Sequence, residues 1–388
     1  KIITDEKIIN DILEIGTKDI FIKEHLKSQL MSGKVLRVKF GIDPTGPKIH
    51  LGRAIPLRKL RQFQDLGHKV VLIIGDFTAT IGDPSDKLEK RPMLTEADIK
   101  KNMKDYKNQL GKIIDLKKAE FVYNSKWLKK LGFKEISQLA ESFSVGQMSS
   151  RRNFKDRLDK DEEVSLREFF YPLMQGYDSV AIKADVEIGG FDQLFNLKAG
   201  RTIQKHYGMP EQDVLTIEML EGTDGRKMST SWGNVITIVD EPNDMFGKIM
   251  SVKDELIEKY FKLCTDVRDI PKSENPRDDK MMLGYEIVKI YHGEKKAKEA
   301  QENFVNTFSK KEIPDEMEEV KAKIGEMLVD VLVSKNIVAS KSEWRRLVEQ
   351  NAIHDLENDT RITDQNLKIE KDMTLKIGKK KFIKILVS

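Results

Sequence analysis

Apolar and charged positions alternate in KVLRVKF, with Leu36, Val38 and Phe40 set against Arg37 and Lys39, and that period of two predicts a strand. The period breaks in GIDPTGPKIHLGRA, residues 41 to 54, where prolines and glycines mark a loop. A helical period follows, with Leu57, Leu60 and Phe63 on one face. His50 and Arg53 then sit at the first turn, where free backbone N–H groups and the helix dipole favour an anion. KVVLIIGD reads as a buried parallel strand ending in a Gly-Asp turn. After the loop FTATIGDPSDKLEKRP, the segment TEADIKKNMKDYKNQLGKII opens with a Thr-x-x-Asp cap and runs helically, and AEFVYN is the next strand. This alternation predicts a parallel sheet covered by helices, with ligands beyond the carboxyl ends of its strands.

Residues 135 to 178 are mostly helical in pattern; SVAIKADVEIGG then predicts a strand, FDQLFNLKAGRTIQKHYG a helix and DVLTIEML a last strand. Beyond EGTDGRKMSTSWGN, residues 242 to 333 carry a charged helical pattern with no strand signal, which suggests a separate helical domain. Pro271 and Pro276 mark a linker or loop within it. SKSEWRRLVEQ reads as a short basic helix, and KIEKDMTLKIGKKKFIKILV alternates like a hairpin around IGKKK.

A chain of 388 residues is expected to divide into two or three domains. With 34% charged residues but a net charge of only +4, any nucleic-acid surface must come from local clustering. The single cysteine, Cys264, excludes an internal disulfide and a cysteine-based zinc site, fits a reducing cytoplasm, and is expected to be a small buried hydrophobe. The start KIITDEKIIND has no apolar h-region, and the longest apolar run, VVLII, is too short to span a bilayer. A soluble, cytoplasmic chain with no membrane partner is expected.

Three short segments carry chemistry. His-Leu-Gly-Arg opens a helix, Lys227-Met228-Ser229-Thr230-Ser231 follows the last predicted strand in a Gly-rich loop, and GDPSDKLEKR holds Lys87 and Arg91 after a turn. Taken singly, each also fits a plain structural part: a packing histidine, a solvated turn, surface charge. As an ordered set they resemble the class I aminoacyl-tRNA synthetases, with HLGR as the HIGH element and KMSTS as the KMSKS element. YPLMQGYD at 171 to 178 and EIGGFDQLFN at 187 to 196 resemble the amino-acid and ribose segments of bacterial tyrosyl-tRNA synthetases, and the likeness covers most of residues 35 to 240.

The resemblance implies an α/β architecture: a Rossmann-like catalytic domain over residues 1–233, a helical anticodon-binding domain over 234–325 and a small α+β RNA-binding module over 326–388. It implies that the carboxylate of L-tyrosine attacks the α-phosphate of ATP, which brings Mg2+, and that the adenylate then esterifies the terminal adenosine of tRNA(Tyr). No protein nucleophile, no tightly bound protein metal and a homodimer are expected. His50, Arg53, Lys227 and Ser229 would act at the phosphates. Gly41, Asp43, Gly52, Gly190, Asp192 and Met228 would surround the nucleotide, with Lys87 and Arg91 at its outer phosphates. Thr78, Asp83, Tyr171, Gln175 and Gln193 would hold the amino-acid end of tyrosine, and Asp178 and Lys39 its phenol. Lys341, Arg345, Arg346, Lys379, Lys380 and Lys381 would meet tRNA phosphates.

Arg53 stands where the family has a second histidine, Thr230 where it has a lysine, and Phe191 where a small Ser or Thr is commoner. Two other readings stay open at this level: a non-catalytic RNA-binding paralogue, and the sister tryptophanyl enzyme.

Overall fold

The computed structural model describes residues 1–84, 94–311, 317–357, 360–378 and 381–387. Lys87, Arg91, Lys379 and Lys380 therefore lie outside the described residues. Contacts divide the chain into two compact units, Lys1–Gln301 and Glu302–Ser388.

The first unit is built on a six-stranded sheet of β1 (Thr17–Phe21), β2 (Arg37–Ile42), β3 (Lys69–Ile74), β4 (Glu120–Tyr123), β5 (Val186–Gly190) and β6 (Asp213–Ile217), in the order β1-β6-β5-β2-β3-β4. The five strands from β2 to β6 pair in parallel, and β1 joins the edge antiparallel to β6. Five of these are the strands the pattern predicts. Val70 to Ile74 are fully buried, as an apolar run between two helical layers must be. From β2 the chain builds outward to β3 and β4, then returns to lay β5 on the other flank of β2. The strand order thus reverses between β2 and β5, the place where such sheets open a crevice beyond their carboxyl ends.

Four readings of the pattern change. The strand expected over SVAIKADVEIGG begins only at Val186, because residues 179 to 182 finish the helix Leu166–Ile182 and Lys183 turns left-handed to end it. β1 was not signalled, since an edge strand reading TKDIF needs only one apolar face. Lys39 looks like the solvent side of an alternating strand, yet it is fully buried, because β2 lies at the centre of the sheet and is covered on both faces. Finally, EEVKA at 318 to 322 is a strand within the stretch read as helical; only Val320 and Ala322 are buried, too short an alternation to register.

The helices Pro242–Met250, Ile257–Cys264 and Pro276–His292 belong to the first unit. Tyr260 donates its hydroxyl to the carbonyl of Glu221, and Lys112 donates to the carbonyl of Tyr291. Cys264 is buried in this layer, and that burial pushes its thiol up to about 12.

The second unit carries β7 (Glu318–Ala322), β8 (Ile353–Asp355), β9 (Thr360–Arg361), β10 (Met373–Ile377) and β11 (Lys381–Val387), in the order β7-β11-β10-β8-β9. β10 and β11 form the antiparallel hairpin read from the sequence. The helices Leu328–Ser334 and Lys341–Glu349 cover the sheet, burying Leu328, Leu332, Trp344 and Val348 against Leu375, Ile383 and Ile385. Among the described residues, no helix is long and apolar enough to cross a membrane.

Candidate active site

A cavity of about 490 Å³ opens at the reversal point, lined from the carboxyl ends of β2 and β5 and the segments that follow them. The loop after β2 is fastened by side chains from 102 to 109: Asn102 donates to the Pro44 carbonyl, Tyr106 to that of Gly46, and Gln109 to that of Pro47. That fastening delivers the chain to His50, which N-caps the helix Leu51–Asp65.

The N–H groups at this helix start are not free. Leu51 donates to the Ile236 carbonyl, Gly52 to the Met228 sulfur at 3.4 Å, and Arg53 to the carbonyl of His50. The helix dipole remains, but the expected open N–H cluster does not. His50 itself is buried; burial and the charges of Arg53 and Lys227 push its imidazole down to about 3, so it is neutral. Its Nδ1 has no hydrogen-bond partner among the described residues. A Cβ at Gly52 would stand 3.2 Å from the imidazole, which makes glycine there the means by which ring and backbone come together. Arg53 reaches back instead, donating to Thr45 Oγ1 at 2.7 Å.

The helix Leu166–Ile182 presents Tyr171, Gln175 and Asp178 at i, i+4 and i+7 on one face toward the cavity. Asp178 is buried. It accepts from Trp127 Nε1 at 2.7 Å and Asn124 Nδ2 at 3.3 Å, and burial pushes its carboxyl up to about 7 against the opposing pull of Lys39. Tyr171 donates its hydroxyl to Asp43 at 2.9 Å, and Thr78 donates to the other oxygen at 2.7 Å. Burial holds Asp43 up at about 6 despite those bonds. Gly75, ending β3, permits this: a Cβ there would stand 1.9 Å from Asp43 Oδ1.

On the opposite flank Gln193 donates to Asp83 at 2.7 Å, and Asn196 donates to Gln193 at 3.0 Å. Lys227 holds Asp192 at 2.8 Å, with both side chains partly exposed. Its loop is shaped by Asn234, which accepts from the Ser229 N–H at 2.9 Å and donates to Asp224 and to the Lys227 carbonyl.

The structure therefore gathers into one cavity wall Gly41, Asp43, His50, Gly52, Arg53, Thr78, Asp83, Tyr171, Gln175, Asp178, Gly190, Asp192, Gln193, Lys227, Met228 and Ser229. Lys39 lies beneath that wall, its ammonium held by Glu187 at 2.9 Å. Phe191, the departure next to Asp192, is 42% exposed. Of the residues expected to meet RNA, Arg345 is exposed, Lys341 pairs with Asp330, Arg346 lies 4.0 Å from Glu343, and Lys381 donates to the Ile337 carbonyl. Sequence reasoning missed Asn124, Trp127, Glu187, Asn196 and Asn234. Asn124 ends the predicted strand AEFVYN and SKW directly follows it, so their place at a strand's carboxyl end was the one signal that could have flagged Asn124 and Trp127.

A parallel sheet that reverses beside a histidine-capped helix, with a Lys-Met-Ser loop folded against that helix, is the site of a class I aminoacyl-tRNA synthetase. The profile of the tRNA synthetases class I (W and Y) matches residues 31–309, and the chain belongs to that family. The tyrosine–tRNA ligase of Thermotoga maritima is 47% identical over 387 residues, 96% of each chain. Tyrosine–tRNA ligase 2 of Clostridium acetobutylicum is 44% identical, over 99% of each. Among solved structures, a C-terminally truncated mitochondrial tyrosyl-tRNA synthetase of Coccidioides posadasii aligns with a TM-score of 0.62 at 23% identity, covering 77% of this chain and 91% of that one. The tyrosyl-tRNA synthetase of Archaeoglobus fulgidus complexed with L-tyrosine aligns at 0.60 and 18% identity, covering 76% and 100%. At those identities the likeness is one of fold.

Proposed function

We propose that this chain is a tyrosine–tRNA ligase: it activates L-tyrosine with ATP to tyrosyl-adenylate and pyrophosphate, then transfers tyrosine to the terminal adenosine of tRNA(Tyr). One observation carries the reading: a buried acceptor, Asp178, lines the same cavity as His50 and the Lys227 loop. The near full-length identity to tyrosine–tRNA ligases agrees with it.

The substrate carboxylate is already ionised and serves as nucleophile, so this chain places reactants and stabilises charge. Asp178 accepts from the phenol, while Tyr171, Gln175, Thr78, Asp83 and Gln193 surround the amino-acid end. Gly41 carries no side chain where the cavity opens, and nothing lies within 4 Å of the place its Cβ would take, which leaves the backbone accessible to the nucleotide. Asp192 serves the ribose, and Lys227 leaves it for the outer phosphates together with Ser229, Lys87 and Arg91. Mg2+ arrives with ATP as part of the substrate. Helices after 242 serve the anticodon, and the basic residues of the second unit serve tRNA phosphates. The same reading includes a homodimer.

Pyrophosphate exchange with tyrosine, phenylalanine and tryptophan tests the reading; tyrosine is expected to drive it. Exchange driven best by tryptophan, or by no amino acid, overturns it. A phenol donated to Asp178 favours the ionised carboxylate over the acid. Because the free carboxyl titrates at about 7, tyrosine binding should release protons near neutrality and tighten as pH rises through that value. Phenylalanine lacks the donor and should show neither effect. Calorimetry in two buffers of different ionisation heat measures the release, and equal release with both amino acids refutes the assignment of Asp178.

A further inference from the structure

A buried charge pair adjoins the cavity: Glu187 is among the residues that line it, and Lys39 lies behind it. Lys39 is fully buried and its ammonium has three protons to donate. All three are used: the Gln175 carbonyl at 2.8 Å, Ser179 Oγ at 2.8 Å and Glu187 Oε1 at 2.9 Å. Glu187 is 1% exposed and also accepts from Gln175 Nε2 at 3.0 Å and from Gln212 Nε2.

An ionised carboxylate only accepts, so it dictates how the Gln175 amide stands. Its NH2 group must turn to Glu187, and its oxygen is the atom left for the cavity that Gln175 lines. The Lys39 ammonium is the opposite charge that a carboxylate this deep requires, and it holds Glu187 where its oxygens accept from Gln175 and Gln212.

We propose that Lys39 and Glu187 are a positioning pair: Glu187, paired with Lys39, fixes Gln175 as a hydrogen-bond acceptor for the ammonium of the bound amino acid. This rests on the reading of the cavity as a tyrosine site, and it moves Lys39 from a donor to the phenol to a fixed charge behind the wall. Its field acts on Asp178, where it opposes the effect of burial. Glu187 is thus a positioning residue, acting through Gln175.

The test compares tyrosine with 3-(4-hydroxyphenyl)propionate, which keeps the phenol and carboxylate and lacks the amine, by equilibrium dialysis. The double variant Lys39→Met/Glu187→Met removes both charges together and keeps side-chain bulk. It should weaken tyrosine roughly ten- to hundredfold more than the des-amino analogue, the worth of a charge-assisted hydrogen bond, since any change at Asp178 falls on both ligands alike. Equal weakening of both ligands, or of neither, overturns the proposal. Should that variant fail to fold, Glu187→Gln, which can donate to the Gln175 amide oxygen, carries the same comparison: selective loss of tyrosine supports the pair's assigned role, and equal loss or none refutes it. A wild type that binds neither ligand removes the tyrosine site itself, whereas a wild type that binds tyrosine alongside unselective variants removes only this inference.

Discussion

Replacing His50 by alanine lowers the maximal rate of tyrosine-dependent pyrophosphate exchange by about 10² to 10³ and leaves tyrosine affinity nearly unchanged. The expectation follows from the state of the imidazole. It is buried and neutral, its Nδ1 lacks a partner among the described residues, and Gly52 brings it against the helix start. A neutral ring offers one N–H donor, whose value grows only as charge builds on phosphate oxygens when pyrophosphate departs. Such a contact acts on the transition state and little on the ground state. Because the ring titrates at about 3, its contribution should be flat between pH 5 and 8. Single-turnover exchange together with tyrosine titration separates the two quantities. A loss in tyrosine affinity matching the loss in rate sinks the assignment.

Ending the chain after Lys311 abolishes tRNA charging and leaves pyrophosphate exchange largely intact. Every residue lining the cavity lies before 232, within the first unit. The second unit has its own core of Trp344, Leu332, Leu375 and Ile383, so its removal takes no side chain from the catalytic wall. What it takes is the set of basic residues proposed for phosphate contact, and nucleic-acid affinity falls steeply as such contacts are lost. Aminoacylation of tRNA and exchange are measured on the same preparation. Charging that survives truncation shows that those residues are only a solvated face.

The parallel strands and the residues of the cavity wall were legible because both leave local marks. Buried strands such as VVLII are continuous apolar runs, and HLGR, KMSTS, YPLMQGYD and EIGGFDQLFN keep their order along the chain. What escaped depends on partners distant in sequence. Lys39 looked like surface because its neutraliser, Glu187, lies on the next strand of the sheet, paired beside it. Trp127 carries no sign of function until the helix Leu166–Ile182 brings Asp178 to its indole N–H. Asn234 shapes the Lys227 loop through backbone groups, which no side-chain pattern records. At the helix start, counting unsatisfied N–H groups from one segment overlooked the Met228 sulfur and the Ile236 carbonyl that take them up.

The resting contact between Lys227 and Asp192 bears on which anions the site admits. A lysine standing alone in an open cavity attracts any polyphosphate, and pyrophosphate or a bare triphosphate chain would meet it as readily as ATP. Here the cation must first leave its own carboxylate, and a phosphate chain by itself compensates only one of the two separated charges. On the proposed reading a nucleotide compensates both, its phosphates taking the lysine and its ribose hydroxyls donating to the aspartate. On the reading proposed above, the ion pair works as a two-key lock: discrimination between nucleoside triphosphate and bare polyphosphate is set before any base is recognised.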